Sequence, residues 1–163
     1  MNDVRRLMRQ DVDAVCALAR TVWQATYPAL ISQAQINVML ADRYSADRIR
    51  AQLDDPRHAW WVAQLDTAPV GFAHAVQDGA DCKLDKLYVH PAHQRQGIGN
   101  RLLQAAQDWA RQQQAHRLWL QVNRGNTQAI AAYRKYGFRI VESRVFDIGH
   151  GFVMDDHVME QAL

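Results

Sequence analysis

The stretch Leu84-Asp85-Lys86-Leu87-Tyr88-Val89-His90-Pro91, followed by Gln94-Arg95-Gln96-Gly97-Ile98-Gly99-Asn100, decides how this chain folds. It reads as a strand, a short loop and the first turn of a helix. Leu84, Leu87, Tyr88 and Val89 are apolar, aromatic or β-branched, as a strand requires. Pro91 closes the strand, because proline has no N–H to give to a ladder. Past the two glycines, Ile98, Leu102, Leu103, Ala106, Trp109 and Ala110 recur at helical spacing.

A glycine-bearing turn at a helix start leaves backbone N–H groups without carbonyl partners, and the helix dipole adds partial positive charge. Such a place holds phosphate. Gly97 and Gly99 lack a Cβ, so an anion can approach the backbone, and Arg95 and Arg101 can add charge. The bland alternative is an ordinary strand-to-helix turn with two solvated arginines. The P-loop pattern requires Lys-Ser/Thr after its second glycine, where Asn100-Arg101 stand. The dinucleotide fingerprint requires a third glycine, where the chain has Leu102. Neither pattern is met.

What remains resembles the signature of the GCN5-related N-acetyltransferase (GNAT) family, Gln/Arg-x-x-Gly-x-Gly/Ala after an apolar strand. In that family the loop holds the pyrophosphate of acetyl-coenzyme A. The resemblance therefore implies cofactor contacts at Gln94, Arg95, Gln96, Gly97, Ile98, Gly99 and Asn100. It implies contacts from the backbone of Leu87, Tyr88 and Val89 to the pantetheine amides and the acetyl carbonyl.

Outward from this stretch the elements follow in order. Val4 to Met8 reads as a first strand, and Asp11 to Tyr27 as a helix with Asp11 at its N-cap. Tyr27-Pro28 ends that helix. Ser32 to Leu40 and Ser45 to Leu53 read as two short helices with serine caps. His58 to Leu65, Val70 to Val76 and Cys82 to Val89 form an antiparallel meander, with turns at Asp66-Thr67-Ala68-Pro69 and Asp78-Gly79. Arg117 to Val122 is a strand returning to the sheet after the glycine-loop helix, which implies a parallel crossover. Asn126 to Tyr136 is a helix stopped by Gly137, and Phe138 to Phe146 and Val153 to Gln161 are a final antiparallel pair. The expected class is mixed α/β, one domain over residues 1–163, around a mostly antiparallel twisted sheet flanked by helices. This order is similar to the GNAT fold from end to end, and most closely over residues 82–139.

Asn123-x-x-Asn126-x-x-Ala129-x-x-x-Tyr133-x-x-x-Gly137-Phe138 is the second match to the family. The resemblance places Asn126 at the cofactor and Tyr133 near its sulfur, as general acid to the departing thiolate. Seven residues separate the two, about two helical turns, so both face one side. Asn126 as a plain N-cap and Tyr133 as a core aromatic are the alternatives. Some relatives carry a glutamate as general base where this chain has Gln121, which cannot take a proton. Asp85, two residues before Leu87 and so expected on the face of Leu87 and Val89, is the candidate base. Its alternative is a surface carboxylate paired with Lys83 or Lys86.

In the family the first helices and the last hairpin form the acceptor site. Here they supply Trp23, Tyr27, Asp147, His150, Asp155 and Asp156; Trp23, Tyr27 and Asp155 are taken as substrate contacts. Aromatics and carboxylates suit a cationic amine, and this part resembles the polyamine acetyltransferase subgroup. The expected activity is transfer of acetyl from acetyl-CoA to a small primary amine by direct attack. A peptide N-terminus or lysine, or an aminoglycoside, as acceptor, and a noncatalytic acyl-CoA-binding module, are the rivals. An intact Tyr133 favours the enzyme. A homodimer follows from family habit.

Composition sets outer limits. The 163 residues are 48% hydrophobic and 22% charged, ordinary for a globular protein. A net charge of +2, from 19 basic and 17 acidic side chains, lacks the basic surplus of a nucleic-acid binder. No apolar run is long enough to span a bilayer, and Met1-Asn2-Asp3-Val4-Arg5-Arg6 leads into no secretory core, so a cytoplasmic setting is expected. Cys16 and Cys82 read as buried reduced thiols, and His90-x-x-His93 lacks the further ligands a metal needs.

Overall fold

The computed structural model describes residues 2–163. Seven strands lie in one sheet in the order β1-β2-β3-β4-β5-β7-β6. They are β1 (Asn2–Arg6), β2 (His58–Leu65), β3 (Ala68–Asp78), β4 (Asp81–Val89), β5 (Arg117–Asn123), β6 (Arg139–Gly149) and β7 (Phe152–Ala162). The helices are α1 (Val12–Thr26), α2 (Gln33–Arg43), α3 (Ala46–Leu53), α4 (Ile98–Gln112) and α5 (Thr127–Lys135). Every neighbouring pair is antiparallel except β4 and β5, which α4 connects in parallel. The mixed α/β class, the meander and the parallel crossover pair are all present.

Local chemistry explains most boundaries. Ser32 and Ser45 cap α2 and α3, accepting from the N–H groups of Gln35 and Arg48 at 3.1 and 3.2 Å. Asp11 does not cap α1 as expected. Its carboxylate is taken by Arg5, at 2.8 Å to each oxygen, and by the Met8 N–H at 2.8 Å. It thereby ties β1 to a short 3₁₀ turn, Arg9–Asp11, that sequence reasoning did not foresee. Pro69, expected in a turn, lies in β3 opposite Gln64, at an irregularity in the pairing next to Ala63. A strand tolerates proline at such a site because a ladder bond is already missing there.

The central strands are covered on both faces. On one, α4 packs Ile98, Leu102, Leu103, Ala106 and Trp109 against Leu84, Leu118, Leu120 and Met159. On the other, Val15, Ala19, Val22 and Trp23 of α1, Ile36 of α2 and Ile49 of α3 cover Trp60, Val62 and Phe72. This is why β2 reads as the unbroken run Ala59-Trp60-Trp61-Val62-Ala63 rather than alternating. Each large side chain enclosed this way, such as Leu102 or Ile36, contributes about 1.5–3 kcal/mol.

Two departures from a regular sheet shape its centre. Strands β4 and β5 pair only at Cys82 with Leu118 and Lys83 with Trp119. Beyond that β4 runs on to Val89 and β5 to Asn123, so the strands part and leave a wedge between them. Within β4, His74 faces Lys86 while Ala75 faces Leu84, so Asp85 is the extra residue of a β-bulge.

Candidate active site

A cleft of about 800 Å³ occupies the wedge. Leu87, Tyr88 and Val89 of β4 form one wall, and Asn126 and Tyr133 of α5 with its lead-in form the other. Gln94, Arg95, Gly97, Ile98, Gly99 and Asn100 close one end. One cleft thus gathers most of the residues that the two sequence motifs singled out. Gln96, Trp23 and Asp155 do not line it.

The closed end has backbone features that suit an anion. Gly97 is the N-cap of α4 with φ +80°, a conformation that a Cβ disfavours. A Cβ there would meet nothing within 4 Å, so glycine is required by the backbone angle and not by crowding. Arg95 also has positive φ, at 64°, which a non-glycine residue adopts at a strain of about 1–3 kcal/mol. The Arg101 N–H makes its helical bond to the Gly97 carbonyl at 3.1 Å. The amides of Ile98, Gly99 and Asn100, one turn earlier, have no carbonyl inside the helix to bond. These N–H groups at the dipole's positive end fit a pyrophosphate. His90 Nδ1 accepts from the Ala92 N–H at 3.0 Å and so shapes the turn leading into the loop.

Asn126 caps α5, its Oδ1 accepting from the Ala129 N–H at 3.3 Å. The bland reading of this residue therefore holds alongside its place on the cleft. Tyr133 rests edge-on against Phe138, ring centroids 5.6 Å apart. Burial raises its pKa, so the phenol keeps its proton.

The bulge corrects the expected face of Asp85. Its carboxylate does not follow Leu87 and Val89 but joins the polar groups of the α1 side. Lys86 Nζ lies 2.5 Å away, Lys83 Nζ 3.3 Å and His74 Nδ1 3.3 Å. Burial alone would raise the Asp85 pKa, but Lys86 and then His74 and Lys83 outweigh it and hold it well below the usual range. Burial lowers the Lys86 pKa, against the pull of Asp85, and the ammonium lies over the rings of Trp60 and Tyr44 at 5.2 and 5.4 Å. His74, pushed down to about 4 by burial, stacks on Trp60 and meets His58 Nδ1 through Nε2 at 2.9 Å.

A second cleft, about 400 Å³, opens on that side among α2, β3 and the β6–β7 hairpin. Asp42, Arg43, His58, His74 and Asp147 line it. The two clefts meet at Asp85, Lys86 and Gln121, which line both. Gln121 Oε1 accepts from Lys83 Nζ at 2.5 Å and its Nε2 donates to Asp156 Oδ2 at 3.3 Å. Tyr27 lines the larger cleft and its hydroxyl meets that of Tyr88 at 2.7 Å. Trp23 is 2% exposed and stands behind Tyr27, with its indole donating to the Tyr44 hydroxyl at 3.0 Å. Asp155 points to solvent near Arg124, at 3.5 Å, and its neighbour Asp156 points inward. His74 escaped the sequence reading, while the pairing of Asp85 with Lys83 and Lys86 is the alternative that reading named, here largely buried. For His74 a signal existed, since it shares strand parity with Phe72 between apolar neighbours.

Known proteins agree with this geometry. The profile of the Acetyltransferase (GNAT) family matches residues 20–138. An uncharacterised N-acetyltransferase of Mycobacterium tuberculosis is 32% identical over 158 residues, which is 94% of this chain and 98% of that protein. The spermidine N(1)-acetyltransferase of Thermoplasma acidophilum is 23% identical over 94% of this chain and 95% of its own. The crystal structure of the PaiA N-acetyltransferase of that organism in complex with coenzyme A superposes with a TM-score of 0.87, at 22% identity over 100% of this chain and 99% of that one. A cleft that joins a glycine-capped helix start to a strand edge, in a chain so related, belongs to an acetyl-CoA-dependent N-acetyltransferase of the GNAT family.

Proposed function

We propose that the acceptor is a small cationic primary amine, a polyamine being the first candidate, and that Tyr133 is the general acid of the transfer. The observation that carries this reading is the meeting of the two clefts. One presents the helix-start amides, Tyr133 and the aromatic pair Tyr27–Tyr88, and the other brings the carboxylate of Asp147 to the shared Asp85. Of the cations lining the second cleft, Arg48 is paired with Asp42 and Lys86 with Asp85, while Arg43 has no ion pair among the described residues. The relative that acetylates spermidine supports the same reading.

Bound acetyl-CoA supplies the thioester carbonyl that the amine attacks. This chain's part is to orient and to move protons. The amides of α4's first turn and Arg95 hold the phosphates, and the open edge of β4 aligns the extended arm. A backbone N–H near Val89 steadies the charge that develops on the carbonyl oxygen. Tyr133 then gives its proton to the sulfur as the C–S bond breaks. Asp85 is held so low by its cations that we assign it to fixing Lys86 and His74 rather than to proton uptake.

The test is thiol release from acetyl-CoA with spermidine, spermine, lysine peptides, free amino acids, an aminoglycoside and a blank. Turnover strongest with the polyamines supports the proposal. Turnover confined to the peptides moves the assignment to a protein acetyltransferase, and silence across the panel with tight acetyl-CoA binding refutes the small-amine reading.

A further inference from the structure

Asp156 lies in β7 opposite Asn123 of β5 and is 4% exposed. Its Oδ2 accepts the long 3.3 Å bond from Gln121. Its Oδ1 is buried and, among the described residues, has no hydrogen-bond partner. A buried carboxylate oxygen left unpaired is destabilising by about 1–3 kcal/mol or more, so it calls for a partner that arrives from outside. The groups that face Asp156 are known from each neighbouring element. They are Tyr27 at the end of α1, Arg43 of α2, Lys83 of β4, Gln121 of β5 and Asp155 of β7 itself. Arg144, opposite in β6, is paired with Glu142 and lies over the Phe146 ring. Tyr27, Arg43 and Gln121 all line the clefts, so Asp156 sits just beneath their junction.

We propose that Asp156 is the carboxylate that receives the acceptor's ammonium and takes its proton before attack, with Gln121 holding the carboxylate in place. This rests on the acetyl-transfer reading above. An ammonium arriving beside Gln121 is a strong charged donor, so it pairs with the open Oδ1 of Asp156 while Gln121 keeps Oδ2. One N–H bond of the ammonium breaks and an O–H bond forms on Asp156. The freed lone pair forms the C–N bond, and the C–S bond breaks. The sulfur takes the Tyr133 proton, and the second nitrogen proton refills Tyr133. Asp156 returns its proton to solvent after the amide leaves. Burial raises the Asp156 pKa, which moves it toward the pH at which it can both gain and lose that proton. Asp85, pinned low at the same junction, cannot do so as readily.

The test compares wild type, Asp156→Asn and Gln121→Ala, using the best amine of the panel, by kcat/KM from pH 6 to 10, calorimetric acetyl-CoA affinity and urea unfolding. For Asp156→Asn we expect kcat/KM at pH 7 to fall roughly 10²–10⁴-fold, the usual span for a lost acid–base group. The loss should shrink as pH approaches the amine's own pKa, because free amine needs no base. Acetyl-CoA affinity should hold within about twofold, and the unfolding midpoint should stay or rise, because the unpaired charge is gone. Gln121→Ala removes a bond that holds the Asp156 pKa down, so the acidic limb should move to higher pH. This variant reads the same group should Asp156→Asn fail to fold. A pH-independent loss, or a profile like wild type in both variants, overturns the proposal. A wild type that acetylates no amine would instead overturn the reading on which it rests.

Discussion

Replacing Asp85 by asparagine should reveal how strongly the buried charges at the cleft junction depend on one another. The Lys86 ammonium side chain is 4% exposed and its nearest anion is Asp85, at 2.5 Å. Removing one member of such a pair usually destabilises by about 3–5 kcal/mol, since the other charge stays buried. The faces of Trp60 and Tyr44 recover a part, on the order of 1–2 kcal/mol. A net loss of roughly 1–4 kcal/mol is expected, or about 2–16 °C in Tm at roughly 2–4 °C per kcal/mol for a chain of this size. Lys86→Met should lose less, because Asp85 keeps Lys83 and His74. The double variant removes both charges and should unfold within about 1 kcal/mol of Lys86→Met alone, so that the two losses do not add. Urea unfolding of the four proteins measures the cycle. pH adds a second check. Asp85's pKa is depressed in the fold, so its contribution is present above the unfolded aspartate value of about 4 and is lost as pH falls through the lower folded value. The gap between wild type and Asp85→Asn should therefore be steady from pH 7 to about 5 and close in stronger acid. Additive losses, or an Asp85→Asn protein within about 0.5 kcal/mol of wild type, would refute the coupling.

Tyr133→Phe should lower kcat by roughly 10²–10⁴-fold while acetyl-CoA affinity, read by calorimetry, stays within about twofold; unchanged turnover would remove the general-acid role. Gly97→Ala forces a Cβ into φ +80° without a clash, so it should destabilise by about 1–2 kcal/mol in urea and weaken acetyl-CoA binding as the loop relaxes. A folded variant with unaltered affinity would take the loop out of the phosphate site.

The glycine loop and the Asn126–Tyr133 helix were readable because their chemistry is local. A phosphate needs free amides at a helix start, and a helix of that length brings both side chains to one side. The meander was readable from its turn residues and apolar runs. Asp85 was misplaced because face alternation assumes an unbroken strand, and nothing in Lys83-Leu84-Asp85-Lys86 marks a bulge. Asp11 was misread because a carboxylate near a helix start can serve a distant arginine as well as a cap, and Arg5 lies on another element. Asp155 and Asp156 could have been told apart. Met154 and Val158 share the parity of Asp156 and are buried, which points Asp156 inward. Gln121 looked like a lost base, and only three-dimensional packing shows it bridging Lys83 and Asp156.

The short β4–β5 pairing also bears on how the molecule opens. Strands β1 to β4 and strands β5, β7 and β6 share a seam of two residue pairs, Cys82–Leu118 and Lys83–Trp119, bridged chiefly by the α4 packing. Sheet segments joined so sparsely tend to exchange amide protons as separate cooperative units. A ligand lodged in the wedge touches both sides at once and acts as a clasp. At a hundred times its Kd it adds about 2.7 kcal/mol against any opening that parts them. Amide exchange along β5 and β7 should then slow together when acetyl-CoA is added, even at positions it never touches.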